Sequence, residues 1–376
     1  MKNSFKNKAL LAATTGVGLS LFGSAIAFAA VFTPTQILVG DGPMGVAFTH
    51  DGAKVYVAMA GGDSAHPGNT LKVIDPTTNL VSTSITVGSN PQAVATSPTE
   101  DRAYVANSAD NTVSVINTAT DAVIATTSVG AGASSIQVSP DGSKVYVVNR
   151  DSHTVSVIST STNNVVATIT VGANPFDVIF SPDGSKAYVT VQDTAEVDVI
   201  DVSNNNIVDH IQNIAAPFGL AISQDGSKLY VADVGAGGVD IVETAAGHAK
   251  TTVPVSGMPF RLALSPDEKN LLVSNVVQNE VDVIDLSGSA PALNQAPGQP
   301  IPGQGTPEAV AISPDGTTAM IANWGGTSVT TFELPVTLDV QDKTLANTGS
   351  NIWQLLTGAI AAITVGSFLV LKGKRN

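Results

Sequence analysis

The residues of this chain best suited to chemistry recur at one place, the two positions after a proline that returns along the sequence. Phe176-Asp177, Phe218-Gly219, Phe260-Arg261 and Glu308-Ala309 each follow such a proline. An aromatic ring beside a carboxylate or a guanidinium is the mixture expected of an amphipathic ligand site. The corresponding pairs in the other copies are Met44-Gly45, Gln92-Ala93 and Ser134-Ser135. Loops predicted to lie beside them carry Asp63, His66, Arg150, Asp151, His153, Gln192, Asp193 and Trp324. The candidate ligand-binding set is therefore Phe176, Phe218, Phe260, Asp177, Arg261, Gln92, Glu308, Trp324, His66, Arg150 and His153.

Several chemistries are absent. The chain has no Cys, which excludes disulfides, Cys-ligated zinc, c-type haem attachment and thiol nucleophiles. It has neither a phosphate-cradling loop nor a Gly-x-Ser-x-Gly elbow. The five histidines (His50, His66, His153, His210, His248) fall on different repeat positions. A zinc site needs three or four converging ligands, so no metal is expected. Carboxylate pairs such as Asp198/Asp201 sit at repeat positions and read as structural. No catalytic residue and no cofactor is assigned on this basis. An enzymatic alternative would have to draw on Arg150, His153, Asp177, Arg261 and Glu308.

The elements that must position these residues follow from the repeat. A Val-Gly-x-x-Pro turn places its proline at Pro43, Pro91, Pro175, Pro217, Pro259 and Pro307, with Ala133 in the third copy. The spacing is 42 residues, or 48 after Pro43 and Pro259. Seven copies of this length fall in the range of four-stranded propeller blades, with repeats starting near 39, 87, 129, 171, 213, 255 and 303. In the second copy, strands are predicted at 92–97, 102–106, 112–117 and 122–129, where Val, Ile, Thr and Tyr dominate. The first hairpin turn recurs as Ser-Pro-Asp-Gly at 139–142, 181–184 and 313–316, a type I turn completed by a left-handed glycine. At 265–268 the glycine is replaced by Glu268, so a strained or reshaped turn is expected there. Recurring Asn107, Asn149, Asn275 and Asn323 read as loop-bonding residues, and Asp75, Asp201 and Asp285 as turn starters.

Val145-Tyr146-Val147-Val148-Asn149, Ala103-Tyr104-Val105-Ala106-Asn107 and Ala187-Tyr188-Val189-Thr190, each followed by runs such as Thr112–Ile116 and Thr154–Ile158, resemble the YVTN β-propeller repeat of bacterial and archaeal surface proteins. The resemblance spans about residues 35–334. It implies a fold and says little about activity, since propellers host many functions. It also implies that loops before the innermost strands, and those between second and third strands, gather on one face around a channel. Similar propellers include sugar-lactone hydrolases and antibiotic lyases, which keeps the enzymatic alternative open.

The expected fold is all-β: a single seven-bladed propeller over 31–335, long enough to bury a large core without disulfides. The last copy lacks a fourth strand, and 35–40 matches the missing piece (compare 167–172). The N-terminal strand should thus pair into the seventh blade and close the ring, which removes an exposed edge. The longer copies carry six extra residues each, one set in the loop at 61–68 and one in a Pro/Gly/Gln-rich run at 288–305.

The two ends read as targeting segments. Residues 1–30 have the order of a helical signal peptide: Lys2, Lys6 and Lys8, an apolar stretch, then Ala27-Phe28-Ala29. After a stalk at 336–349, residues 350–376 read as a transmembrane helix with a basic tail. Leu345-Ala346-Asn347-Thr348-Gly349 resembles the cell-wall sorting signal of Gram-positive bacteria, with Ala where Pro is usual. That resemblance implies a sortase as partner, cleavage after Thr348 and attachment to peptidoglycan. The expected product is a monomeric, secreted module held on the wall or outer membrane face, binding an unidentified extracellular glycan or protein. Six of the 17 basic residues and none of the 31 acidic ones lie in the two end segments, so the rest carries a net charge of −20. Such a surface repels phosphate backbones, which argues against a nucleic-acid partner.

Overall fold

Val, Ile, Tyr and Ala crowd the second and third strands of every copy, and this is where burial is complete. Tyr104, Val105, Ala106, Val113, Val115 and Ile116 of the second copy are all fully buried. Strands buried on both faces need neighbours on both sides, and a ring of sheets packed face to face supplies them. The computed structural model describes residues 17–21, 26–30, 33–63, 66–288, 290–294 and 300–334.

Seven antiparallel sheets follow one another, each a meander from an inner to an outer strand. Blade 4 is representative: Pro175–Phe180, Lys186–Val191, Glu196–Asp201 and Asn206–Gln212. Each inner strand contacts the next around the whole ring, including Pro307–Ile312 of blade 7 against Pro43–Phe48 of blade 1. The core lies between blades: Tyr146, Val155 and Val157 of blade 3 share one apolar cluster with Val178, Phe180 and Val189 of blade 4. Two of the repeat tyrosines reach through this core to the following blade. Tyr56 Oη donates to Asp121 Oδ1 at 2.7 Å, and Tyr146 Oη to Asn205 Oδ1 at 2.8 Å.

The ring closes as expected. Thr35–Leu38 pairs antiparallel with the third strand of blade 7, Ile37 opposite Val329. Gln36 fastens the pair: its Nε2 donates to Thr330 Oγ1 at 2.9 Å, and its Oε1 accepts from Ser328 Oγ at 2.7 Å. Ile37 is 4% exposed and packs with Val46, Val57 and Met320, so the closing strand joins the core between blades 7 and 1.

Turn chemistry agrees with the sequence reading. Ser139 Oγ donates to Asp141 Oδ1 at 2.6 Å while Gly142, at φ 72°, donates its N–H to Ser139 O. Glu268 keeps this geometry at φ 56°, its N–H on Ser265 O, so the deviant turn is strained rather than reshaped. Asn149 Nδ2 donates to Thr154 Oγ1 and Ser156 Oγ, and Asn323 Nδ2 to Ser328 O and Thr330 Oγ1, so these residues tie the second strand to the third. The glycine of the repeat turn packs against this asparagine: a Cβ on Gly130 would lie 2.7 Å from Asn149 Cγ. The acceptor reading of Asp75 and Asp201 also holds, through Thr77 and Ser203.

Both insertions take definite form. The first lengthens a hairpin: strands Val55–Asp63 and His66–Asp75 pair as far as Asp63 opposite His66. The second splits the outer strand of blade 6 into Ala292–Leu293 and Ile301–Pro302, both paired to the third strand.

Only part of the N-terminal segment falls within the described residues. Where a helical signal peptide is predicted, the structure has strand Val17–Leu21 paired antiparallel with Ile26–Ala30. Gly18 and Ser20 alternate with Val17, Leu19 and Leu21, a period of two that suits a strand. The stalk, the pentapeptide 345–349 and the apolar stretch 352–371 lie outside the described residues. Among the described residues no helix is long and apolar enough to cross a membrane.

Closure by a strand remote in sequence makes a clear prediction. Ile37→Ala should destabilise the protein by about 2–5 kcal/mol in urea unfolding. Leu38→Ala, at a position 76% exposed, should leave the midpoint unchanged. An Ile37→Ala midpoint equal to the parent's would mean that the closing strand carries no stability.

Candidate functional site

Each inner strand slips register immediately after its repeat proline. In blade 2, Pro91 pairs with Asn107 and Ala93 with Ala106, leaving Gln92 unpaired. A bulge bends the strand and re-aims the extra side chain. The extra residues are Met44, Gln92, Ser134 and Glu308 in four blades, and in blades 4 to 6 the skipped stretch holds Phe176-Asp177, Phe218-Gly219 and Phe260-Arg261. The bulges gather on one end of the ring, and those of six blades, all but blade 5, line a cavity of about 420 Å³.

The structure gathers most of the predicted residues there. Gln92, Arg150, Phe176, Asp177, Phe260, Arg261, Glu308 and Trp324 all line the cavity, with Met44, Ser134 and Ser135. Phe218 stands behind the wall: its ring meets those of Phe176 and Phe260 at centroid distances of 4.9 and 5.2 Å and packs on the blade 5–6 core. Phe176 and Phe260 are 5.0 Å apart at an interplanar angle of 70°, so the three rings form a closed triangle with edge-to-face contacts from Phe176 to each of the others and a tilted contact, at 41°, between Phe218 and Phe260.

His153 is a correction. It does not line the cavity; it occupies a left-handed turn position at φ 56°, where Nδ1 accepts the N–H of Asn174 at 3.3 Å. Histidine is among the residues that tolerate this conformation, and the demand is invisible in a residue list. His66 contributes its backbone to the blade 1 hairpin, and its side chain lies outside the described residues.

Asp177 and Arg261 are already committed to each other. Arg261 Nη1 donates to Asp177 Oδ1 at 2.6 Å. The same oxygen accepts from Ser135 Oγ at 2.7 Å, and Asp177 Oδ2 accepts the Leu220 N–H at 3.0 Å. One carboxylate thus joins blades 3, 4, 5 and 6. The span across blade 5 is open because Gly219 stands there: a Cβ would come within 2.5 Å of Phe260 O. The guanidinium also lies over the Phe176 ring, 4.4 Å from its centroid. Two hydroxyls missed by the sequence reading hold the bulges in place. Thr190 Oγ1 accepts the Asp177 N–H and Ser274 Oγ the Arg261 N–H, each at 2.9 Å. Their signal was that Ala or Val fills this repeat position elsewhere, at Ala106 and Val148 for example.

Glu308 is different. Its carboxyl is half-buried and has no hydrogen-bond partner among the described residues. Burial pushes its pKa up to about 7, against the opposing pull of the Arg261 charge. Arg150 is exposed at the rim, and Trp324 is 39% exposed. The groups of the mouth with capacity to spare are therefore one carboxyl poised near neutrality, the Arg150 guanidinium, which bonds only Asn174 through Nε at 3.5 Å, the Gln92 amide, which gives Nε2 to Asn90 Oδ1 at 2.8 Å, and an indole face.

With this geometry in place, comparison with known proteins is informative. A family profile for YNCE-like β-propellers matches residues 90–352. The chain belongs to the YNCE-like β-propeller family. No curated protein sequence matches it. Among solved structures it resembles the hydrazine synthase of Kuenenia stuttgartiensis, with 22% identity and a TM-score of 0.69, over 79% of this chain and 97% of that one. At that identity the likeness concerns the fold. For this YNCE-like propeller, function must be argued from the mouth itself.

A third feature lies outside the mouth, where the sequence reading expected no metal. Glu196, Asp198 and His210 of blade 4 bring ligand atoms within 4.8 Å of one another.

The raised pKa of Glu308 yields a test. Unfolded, its carboxyl ionises near 4.5; folded, near 7. Between these values the folded protein keeps a proton that the unfolded chain has lost, so this group's contribution to stability falls as pH rises, and the penalty is complete above about 7. Glu308→Gln should raise the melting temperature above about pH 7, with the gain vanishing as pH falls to 4.5. A pH-independent difference would show that Glu308 ionises normally.

Proposed function

We propose that this propeller is an extracellular binding module that presents the channel mouth at a bacterial cell surface. The observation that carries the reading is the division of labour in the mouth. Asp177 and Arg261 are bound to each other and tie four blades together, while Gln92, Arg150, Glu308 and Trp324 line a cavity of about 420 Å³ with capacity to spare: Gln92 and Arg150 each make a single side-chain bond, to Asn90 and Asn174. A cavity of this size with an aromatic wall and a few directed polar groups fits part of a glycan or a short peptide segment. Stacking on Trp324 and hydrogen bonds from Arg150 and Gln92 suit a sugar ring. A rigid frame with exposed contact residues is the design of a binder, because the contact groups can vary without disturbing the frame.

The proposed location rests on the two ends. Residues 1–30 would direct export, and Leu345-Ala346-Asn347-Thr348-Gly349 would be cut by a sortase after Thr348, which would then be joined to peptidoglycan. The apolar segment beyond it would hold the chain in the membrane until that step. A net charge of −20 on the remaining chain would keep it soluble and away from nucleic acid.

A second reading is favoured by one observation. A carboxyl with a pKa near 7 is suited to general acid–base work. An extracellular hydrolase or lyase using Glu308 would need a second reacting group in the mouth, for which Arg150 is the free candidate.

Two experiments check these readings. A screen of the chain against glycans, wall fragments and lactones should give saturable binding to a glycan-type ligand. Trp324→Ala and Arg150→Ala should each weaken it by about tenfold or more, about 1.4 kcal/mol, with no change in melting temperature. Turnover of a lactone that Glu308→Gln abolishes would replace the binding reading with the enzymatic one. For location, the wall fraction of the native host should contain the protein ending at Thr348, and Thr348→Ala should shift it to the membrane fraction. Equal wall attachment of both forms would exclude the sorting reading.

A further inference from the structure

In every blade except blade 6, whose outer strand is split, one residue of the third strand lies directly opposite one of the outer strand, and the series around the ring can be compared position by position. The pairs are Lys72/Ser84, Ser114/Thr126, Ser156/Thr168, Asp198/His210, Asp240/Thr252 and, across the closure, Thr330/Gln36. Blade 6 has Asp282 at the third-strand position. In blades 2, 3, 6 and 7 this buried third-strand residue is served by the second-strand asparagine: Asn107 to Ser114, Asn149 to Ser156, Asn275 to Asp282, Asn323 to Thr330. Blade 4 breaks the pattern. Val191 stands where the asparagine would be, and it has no donor to offer. The residue it fails to serve is a carboxylate, Asp198, only 1% exposed.

Asp198 turns outward instead. His210 Nδ1 lies 2.7 Å from Asp198 Oδ1 and 3.7 Å from Glu196 Oε2. Glu196, two residues earlier on the same face, has no other side-chain partner among the described residues. Two carboxylates thus converge on one imidazole nitrogen, in a chain already rich in negative charge. Asp198 is further oriented by the Gly172 backbone N–H. His210 is about half exposed, which leaves a path from solvent and room for water.

We propose that Glu196, Asp198 and His210 form a binding site for a divalent transition-metal ion of the zinc class. One imidazole and two carboxylates, with an open side for water, is a three-ligand set of the kind zinc takes. Ligand bonds of about 2.0–2.2 Å put tetrahedral donors roughly 3.4 Å apart. The His210–Asp198 separation must therefore open slightly and the His210–Glu196 separation close slightly, which rotation of the half-exposed His210 ring and of the Glu196 side chain can supply while the buried Asp198 stays in place. The Gly172 N–H supplies the outer-shell hydrogen bond that such carboxylates usually have. The ion would replace the missing asparagine as the positive partner of a buried charge. It would also cross-link the third and outer strands of blade 4, remote from the channel mouth and independent of what that mouth binds.

Titration of the full chain with zinc chloride, followed by calorimetry and thermal unfolding, tests the proposal. One equivalent should bind, with a rise in melting temperature. His210→Ala should lower affinity by about 100-fold or more, beyond the 10–100-fold typical of losing an outer-shell partner. Glu196→Gln should lower it at least about tenfold. His210 is half exposed and Glu196→Gln preserves side-chain volume, so each variant can be shown to be folded by circular dichroism. A nearby pair, His248 Nε2 with Asp209 Oδ2 at 3.0 Å, provides the control: His248→Ala should leave binding intact. No saturable zinc binding, binding unaltered by His210→Ala and Glu196→Gln, or binding lost in His248→Ala would each overturn the assignment.

Discussion

Everything in this protein depends on the pairing of Thr35–Leu38 with the third strand of blade 7. Seven sheets with two apolar faces each can bury all of them only if the last meets the first. A row of sheets left open would expose a full face at both ends and an unpaired strand edge. The pairing is stabilised by Gln36, which satisfies Thr330 and Ser328 at once, and by Ile37 in the core. On the opposite end the Ser-Pro-Asp-Gly turns touch in sequence, Gly184 against Pro140, Gly226 against Pro182, Gly316 against Pro266 and Gly52 against Pro314. The last of these contacts joins blade 1 to blade 7, so the ring is closed by strand pairing and by turn packing together.

A closed ring makes the mouth possible. Each blade delivers one bulge at the same height, and the channel fixes how far apart the seven bulges stand. The asymmetry of the mouth comes from side chains alone: three phenylalanines and an ion pair on blades 4 to 6, smaller or polar residues on the others. The ion pair is better read as part of the frame than as chemistry. Asp177 accepts from three donors on three other blades, which takes up three of a carboxylate's four or so acceptor sites and leaves most of its capacity in the frame. The triangle of rings does the same with dispersion in place of charge. Blades 4 to 6 are thus locked at the centre, and the free groups lie across the mouth on blades 2, 3 and 7.

How much of this could be read from the residues follows from what repeats. The proline spacing located the bulge residues because every blade obeys it, and the missing fourth strand of the last copy located the closure because a repeat shows its own gaps. Departures from the repeat were harder to read. Phe176, Phe218 and Phe260 each follow the repeat proline, yet Phe218 backs the wall while the other two form it, a difference that the repeat position alone does not encode. His153 resembled a mouth residue because its loop does border the mouth. Its left-handed φ, shared with Asn111, Ala195 and Asn279 at the same turn position, shows that the backbone set its role. Thr190 and Ser274 looked like ordinary strand residues, and only the bulge geometry gives their hydroxyls a purpose.

The buried polar column between third and outer strands shows how a repeat protein can host local variation without loss of fold. Serine, threonine and aspartate alternate there, and each choice forces a matching donor nearby. Asp282 takes the amide of Asn275 at 3.0 Å. Asp240, beside the buried Asp233, takes Thr252 Oγ1 at 2.6 Å and the Lys250 ammonium at 2.8 Å. Asp198, facing Val191, takes His210. The cost of leaving a buried carboxylate unpaired is several kcal/mol, too much for any blade to ignore. Once an acid enters this position, then, its partner is dictated by whichever neighbouring strand still has a donor to give. In blade 4 the side-chain donor comes from the outer strand, and that places a buried charge in contact with the half-exposed His210. The same substitution pattern that preserves the blade therefore creates a site on its surface, a consequence of satisfying one aspartate rather than of any feature of the channel.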